Sequence, residues 1–252
     1  DDNSWSNPTT LYWKDSVTPV DIYGYYPGVD HIENPTEYSF EVDYRQDVLP
    51  ADSSMSAYEA SDFMWAKATK VTPTSDIIIL NYSHRMAGVN VKLVKGSGIQ
   101  DADWSSFSKT VQVDNVIRYA TIDIAEGIPV PVGGVDKSIL MLPQSADSFR
   151  AVVVPQTVDA GQTLLSITID GRTYTHSLAT DMVYKMGKLH NFTITVNKSE
   201  STGDYQCSLS YDGIVEWTND ERSHNFESNS YITINVPEAG TLDKCIEAAG
   251  KD

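Results

Sequence analysis

Cysteine is scarce in this chain, with two residues, Cys207 and Cys245, among 252. Two are too few for a disulfide scaffold. Cys207 alternates with Tyr205, Leu209 and Tyr211 on an apolar face and reads as a buried free thiol, because free cysteine behaves as a small hydrophobe. A Cys207–Cys245 bridge is the alternative, and the scarcity does not fix a compartment. Positive charge is also short. Lys and Arg total 18 against 35 Asp and Glu, a formal charge of -17. That balance excludes reliance on nucleic-acid phosphates and disfavours anionic membrane surfaces. No apolar run approaches the roughly 18 to 20 residues of a spanning helix. The opening Asp1-Asp2-Asn3-Ser4 lacks the basic and apolar regions of an export signal, so an exported form has already lost its leader.

Chemistry-bearing motifs are missing as well. There is no nucleophile elbow, P-loop or dinucleotide-binding glycine fingerprint. The five histidines, at positions 31, 84, 176, 190 and 224, do not form a zinc spacing pattern. His84, His176 and His190 each fall on a strand's apolar parity and read as core or rim residues with hydrogen-bond partners. Asp101, Asp103, Asp123 and Asp136 lack the order of a calcium loop and read as solvated surface charge. Carboxylates abound, but a glycosidase pair is defined by a separation that sequence does not give. We therefore assign no catalytic, cofactor-binding or metal-ligating residue, no cofactor and no enzymatic activity.

What is present is β-structure. Asp170-Gly171 separates Leu164–Ile169 from Arg172–Leu178, the pattern of a two-residue type I′ hairpin, in which both central residues need positive φ. The turn sets the register: Ile169 opposite Arg172, Ile167 opposite Tyr174, Leu165 opposite His176, Thr168 opposite Thr173, and Ser166 opposite Thr175. One face is apolar and the other rich in hydroxyls. Gly187-Lys188 opens a strand in which His190, Phe192, Ile194 and Val196 alternate with Asn191, Thr193 and Thr195.

Further strands are expected at Val20–Tyr25, Tyr38–Val42, Thr110–Ile117, Tyr119–Ile124, Ser138–Leu142, Phe149–Val154 and Tyr205–Trp217. Tyr26-Pro27-Gly28 reads as a turn. Ser56–Ala68 fits a helix or a strand, and periodicity does not decide between them. Leu80, Tyr82, His84 and Met86 share one parity while Val89, Val91 and Leu93 share the other, which suggests a β-bulge near Ala87-Gly88.

The Pro/Thr/Ser stretch Val71–Ser75 marks a boundary. The expected division is a partial N-terminal β-domain at 1–75, an all-β sandwich at 76–218, and a linker with the start of a further module at 219–252. In that last part Tyr231–Val236 reads as a strand. A helix capped by Thr241 follows, with Leu242, Cys245, Ile246 and Ala249 on one face. An apolar stripe at the end of the chain wants a partner, so the chain is expected to be a piece of a longer polypeptide. Aromatic residues crowd the first section, among them Trp5, Tyr12, Trp13, Tyr23, Tyr25, Phe63 and Trp65. They suit a core, and alternatively a platform for sugar rings.

In order along the chain, several landmarks resemble those of the fimbrillin-like, or Mfa-like, proteins of Bacteroidetes, which include type V pilin subunits. Asp21-Ile22-Tyr23-Gly24-Tyr25-Tyr26-Pro27 is similar to the family's aromatic "YYPY" element. Asp62-Phe63-Met64-Trp65-Ala66-Lys67-Ala68 follows, and Leu80–Ala87 resembles its "F-x-H-x-x-A" strand. Val154-Pro155-Gln156-Thr157, the Ile167–Leu178 hairpin, Gly187-Lys188 with Asn191–Val196, and Ile214-Val215-Glu216-Trp217 complete the set.

The resemblance implies two transthyretin-like antiparallel β-sandwich domains without a catalytic site. It also implies a surface-exposed or secreted location, commonly as an outer-membrane lipoprotein or in a fimbria. The implied role is cell adhesion or fimbrial structure, with other fimbrial subunits, surface proteins, or a host protein or glycan as partners. Neither nucleic acid nor a membrane-spanning segment is implied. Polymerising pilins of the family release an N-terminal segment after a basic residue and accept a neighbour's strand. Here the first arginine is Arg45, inside the domain, so no such processing site is visible. Tyr231–Asp252 resembles the segment leading into leucine-rich repeats of some large surface proteins, which points to a module of a modular adhesin.

Overall fold

The computed structural model describes residues 13–27, 32–50, 55–74, 78–217 and 230–232. Strand β1 spans Val20–Tyr26 and β2 Tyr38–Glu41; helix α1, Ala57–Ala60, precedes β3, Met64–Val71. Next come β4 (Ile78–Leu80), β5 (Ser83–His84), β6 (Ala87–Lys95), helix α2 (Asp101–Ser106), β7 (Lys109–Val113), β8 (Tyr119–Asp123) and β9 (Ile128–Pro131). Then follow β10 (Ile139–Leu140), β11 (Leu142–Ser145), β12 (Ser148–Val153), β13 (Gln156–Val158) and β14 (Thr163–Ile169). The chain continues through β15 (Arg172–Ser177), β16 (Met182–Tyr184), β17 (Lys188–Lys198), β18 (Tyr205–Glu216) and β19 (Ser230–Ile232).

Two sheets form the main sandwich, one ordered β11-β12-β6-β17-β18 and the other β10-β7-β14-β15. Period-two alternation builds both. Val89, Val91 and Leu93 of β6 lie beside His190, Phe192 and Ile194 of β17 in one register, and all six side chains are buried. Leu165 and Ile167 of β14 lie beside Val113 and Val111 of β7 and supply the opposing layer. The β6–β17 ladder is parallel, whereas the other strand pairs of these two sheets are antiparallel.

The hairpin forms in the expected register, pair for pair. Asp170 and Gly171 take φ of 48° and 77°, both in the left-handed region a type I′ turn needs.

Residues before and after the Val71–Ser75 stretch share structure. Strand β3 pairs with β1 and β5, and β2 pairs with β8, which in turn pairs with β9. Phe40, Phe63 and Trp65 belong to the same buried cluster as Val89, Ile122 and Phe192.

Ser56–Ala68 is both helix and strand. Ser56 caps α1 in a capping box with Glu59, and β3 starts four residues after the helix ends. The expected bulge at Ala87-Gly88 is absent, because Val152 and Val153 pair with Gly88 and Ala87 without a register shift. The parity change arises because β4, β5 and β6 are three strands in three different sheets. Helix α2 and strands β9, β13 and β16 were not expected. Each is short, and β9 reads Ile-Pro-Val-Pro, a composition that argues against a strand. Strand β19 overlaps the expected Tyr231–Val236. The helix after Thr241, Cys245, His31, His224, Trp5 and Tyr12 lie outside the described residues.

Candidate interaction surface

The landmark side chains act mostly as pins. Asp62, just before β3, accepts from His84 Nδ1 on β5 at 2.8 and 2.9 Å through its two oxygens. The His84 ring stacks on Trp217 with centroids 4.2 Å apart and planes 2° apart. Three landmarks distant in sequence therefore meet in one clasp. An Asp–His pair also orients catalytic imidazoles, but here the remaining nitrogen, Nε2, is buried and has no partner among the described residues. The geometry holds the ring in place and does not present it to a substrate.

Gln156 explains another landmark. Its side-chain amide bonds both main-chain groups of Ile117, accepting from N–H at 2.7 Å and donating to C=O at 2.8 Å. Gln46, fully buried, does the same for Val152. Each amide substitutes for a missing ladder partner.

His190 is fully buried. Its Nε2 accepts from the Lys185 N–H at 2.9 Å, and Nδ1 lies 3.1 Å from the Tyr211 hydroxyl. Burial pushes its pKa down to about 4. His176 is half-buried on β15, and burial lowers its pKa as well. The three histidines sit at separate places and bring no shared ligand set together. Nor do the four aspartates. Asp101 pairs with Lys95, Asp103 lies in the first turn of α2, Asp123 accepts from the Ala125 N–H, and Asp136 pairs with Arg118. Among the described residues no group of three His, Cys, Asp or Glu side chains is arranged to hold a metal.

Arg118 is buried and donates to Asp136, Glu41, the Val42 carbonyl and the Tyr119 hydroxyl. The Asp136 carboxylate raises it above the usual guanidinium range, and Arg118 in turn lowers Asp136. Lys109 crosses from the four-stranded sheet to Asp147 beside β12, at 2.8 Å, above the Trp104 ring. Both clusters staple elements together.

Trp13 and Trp65 are 2% and 9% exposed, so neither indole offers a face to a sugar ring. Trp65 instead donates from Nε1 to the Ile124 carbonyl at 2.7 Å. The Cys207 thiol is half-buried, and burial pushes its pKa up to about 11, away from the reactive thiolate.

Among the described residues two sheet margins are partly exposed. Strand β18, twelve residues long, edges the five-stranded sheet, and β15 edges the other. They lie side by side at one opening of the sandwich without a shared ladder. Tyr174 meets Tyr205 edge-on at 6.5 Å, and Arg172 reaches Asp204 at 3.3 Å. Tyr174, Leu178, Tyr205, Cys207 and Leu209 pack against the core from this seam while still partly exposed. A further margin, at β9, is exposed and apolar.

An all-β sandwich pinned by buried polar side chains is a structural scaffold. The chain belongs to the fimbrillin-like family, whose sequence profile matches residues 1–211. Among solved structures it is similar in fold to a candidate cell adhesion protein of Bacteroides uniformis, at 18% identity and a TM-score of 0.57 over 80% of this chain and 74% of that one. A second, from Bacteroides ovatus, matches at 17% identity and a TM-score of 0.58 over 80% of this chain and 69% of that one. Among curated proteins none matches. No helix in the described residues is long and apolar enough to cross a membrane.

Proposed function

We propose that the chain is a non-enzymatic module of the cell surface that serves adhesion or fimbrial structure. Family membership across residues 1–211 carries this reading, and the candidate adhesion role of the similar structures agrees with it. The chemistry fits, because the pinned histidines and aspartates are engaged in holding strands together, whereas the long margin at β18 is left available. Edge strands present unpaired main-chain donors and acceptors, a natural site for other fimbrial subunits or surface proteins. Attachment as an outer-membrane lipoprotein or incorporation in a fimbria both suit that role.

Immunogold labelling of intact cells tests the location, and decoration of the outer surface or of fimbriae is expected. Label confined to the cell interior would overturn the reading. Size exclusion with negative-stain microscopy of the full-length protein tests assembly separately, and a strictly monomeric species without filaments removes the polymerising version while leaving a modular adhesin.

A further inference from the structure

The three-stranded sheet β2-β8-β9 has one face in the core and one in solvent. Phe40, Ala120, Ile122 and Pro129 point inward and are buried. Register places the outward residues in three columns. On β9 stand Ile128 and Val130, with Val132 just after it; beside them on β8 stand Asp123, Thr121 and Tyr119; Glu41 and Ser39 on β2, with Glu37 just before it, form the third. The β9 column is 50%, 54% and 37% exposed, a solvent-facing row of three β-branched or aliphatic side chains. The β2 column, about 10 Å away across two strand spacings, is acidic.

Pairing by main chain is closed along β9. In an antiparallel ladder a residue that exchanges both bonds with its partner must own an N–H. Proline has none, so Pro129 and Pro131 occupy the other positions, and their main-chain groups turn outward from β8. Val132 confirms the phase, because its N–H donates to the Tyr119 carbonyl at 2.9 Å. The outer margin of β9 thus presents the carbonyls of Pro129 and Pro131 and no N–H from either, a guard against strand addition.

We propose that this face is a side-chain docking surface for a protein partner that carries a row of apolar residues flanked by Lys or Arg. Charge complementarity selects the occupant. Nearby cations are already used: Arg118 by Glu41 and Asp136, Lys67 by Asp21 and the Ala125 carbonyl, and Lys137 over the Tyr44 ring. Among the described residues the Glu37 carboxylate has one partner, the Asn34 amide, and no cation. A second copy of the chain would bring another formal charge of -17 and the same acidic column, so it fits poorly.

The test uses the full chain and an amphipathic leucine–lysine peptide with blocked ends, compared with its leucine–glutamate counterpart by fluorescence anisotropy. The lysine peptide is expected to bind with salt-weakened affinity, and the glutamate peptide not to bind. Ile128→Thr, Val130→Thr and Val132→Thr together should weaken binding at least about tenfold, through lost apolar burial. Glu37→Gln should weaken it by roughly threefold and flatten the salt dependence. Val183→Thr, 46% exposed on β16 and outside this sheet, should bind as the parent does. Circular dichroism checks that each variant keeps its fold. Equal binding by the triple variant, preference for the glutamate peptide, or no binding of either would overturn the proposal. So would a concentration-dependent dimer that the triple variant abolishes, since a second copy would then be the occupant.

Discussion

At the scale of single residues, the chain is held by polar side chains that stand in for missing backbone partners. Gln156 is the clearest case, since one amide satisfies both main-chain groups of Ile117. Gln156→Leu keeps the volume and removes both bonds to Ile117, along with the one donated to the Val154 carbonyl. We expect a loss of about 1–3 kcal/mol, the penalty for leaving partly buried amide groups unpaired, measured by urea unfolding; a change below about 0.5 kcal/mol would show that water replaces the amide. His190 gives a pH dependence of definite sign. Its folded pKa is lowered to about 4, whereas the unfolded chain titrates near 6.5. The unfolded state therefore takes up the proton first as pH falls. His190's contribution is intact above about pH 6.5 and declines toward about pH 4. Between about pH 7 and about pH 4.5 the parent should lose about 2 kcal/mol more than His190→Gln. Equal losses in the two proteins would show that the imidazole is not held neutral.

At the scale of elements, legibility followed how much of a strand's pattern is local. The β14–β15 hairpin was readable to the residue pair, because a two-residue turn and period-two alternation fix register without outside help. Strand β17 was readable for the same reason, with four alternate side chains buried. The bulge inferred at Ala87-Gly88 failed because parity reports which face is buried and is silent on which sheet the chain has joined. Strand β9 was invisible because its two prolines speak against a strand. They are tolerated because β9 is a margin, and that position makes them informative. The candidate surface was hidden for the same reason, since its columns come from three strands spread over about 95 residues (37 to 132). Restoring the donors tests the guard. Pro129→Val with Pro131→Val gives the margin two N–H groups and keeps apolar bulk, so we expect increased self-association in sedimentation velocity relative to the parent. Unchanged sedimentation would show that something other than proline closes this margin.

At the scale of the whole molecule, cooperativity across the Val71–Ser75 stretch is the decisive property. Phe63 is fully buried and stacks with Tyr25 at 6.4 Å and edge-on with Phe40 at 5.4 Å, all before that stretch. The cluster it joins continues without interruption to Val89, Ile122 and Phe192 beyond it. The β2–β8 ladder and the Asp62–His84 bond cross the same division. Elements that share a core and ladders cannot lose one part without exposing apolar surface on the other. We therefore expect one calorimetric transition in which the van't Hoff and calorimetric enthalpies agree. Phe63→Ala should lower stability by about 3–5 kcal/mol. At roughly 2–4 °C per kcal/mol for a chain of this size, that moves the whole transition down by about 10 °C. If the substitution instead splits the transition, or shifts an early phase and leaves a later one in place, the two stretches fold independently. The shared cluster would then be an interface between units, with the β2-β8-β9 face assembled only when they dock.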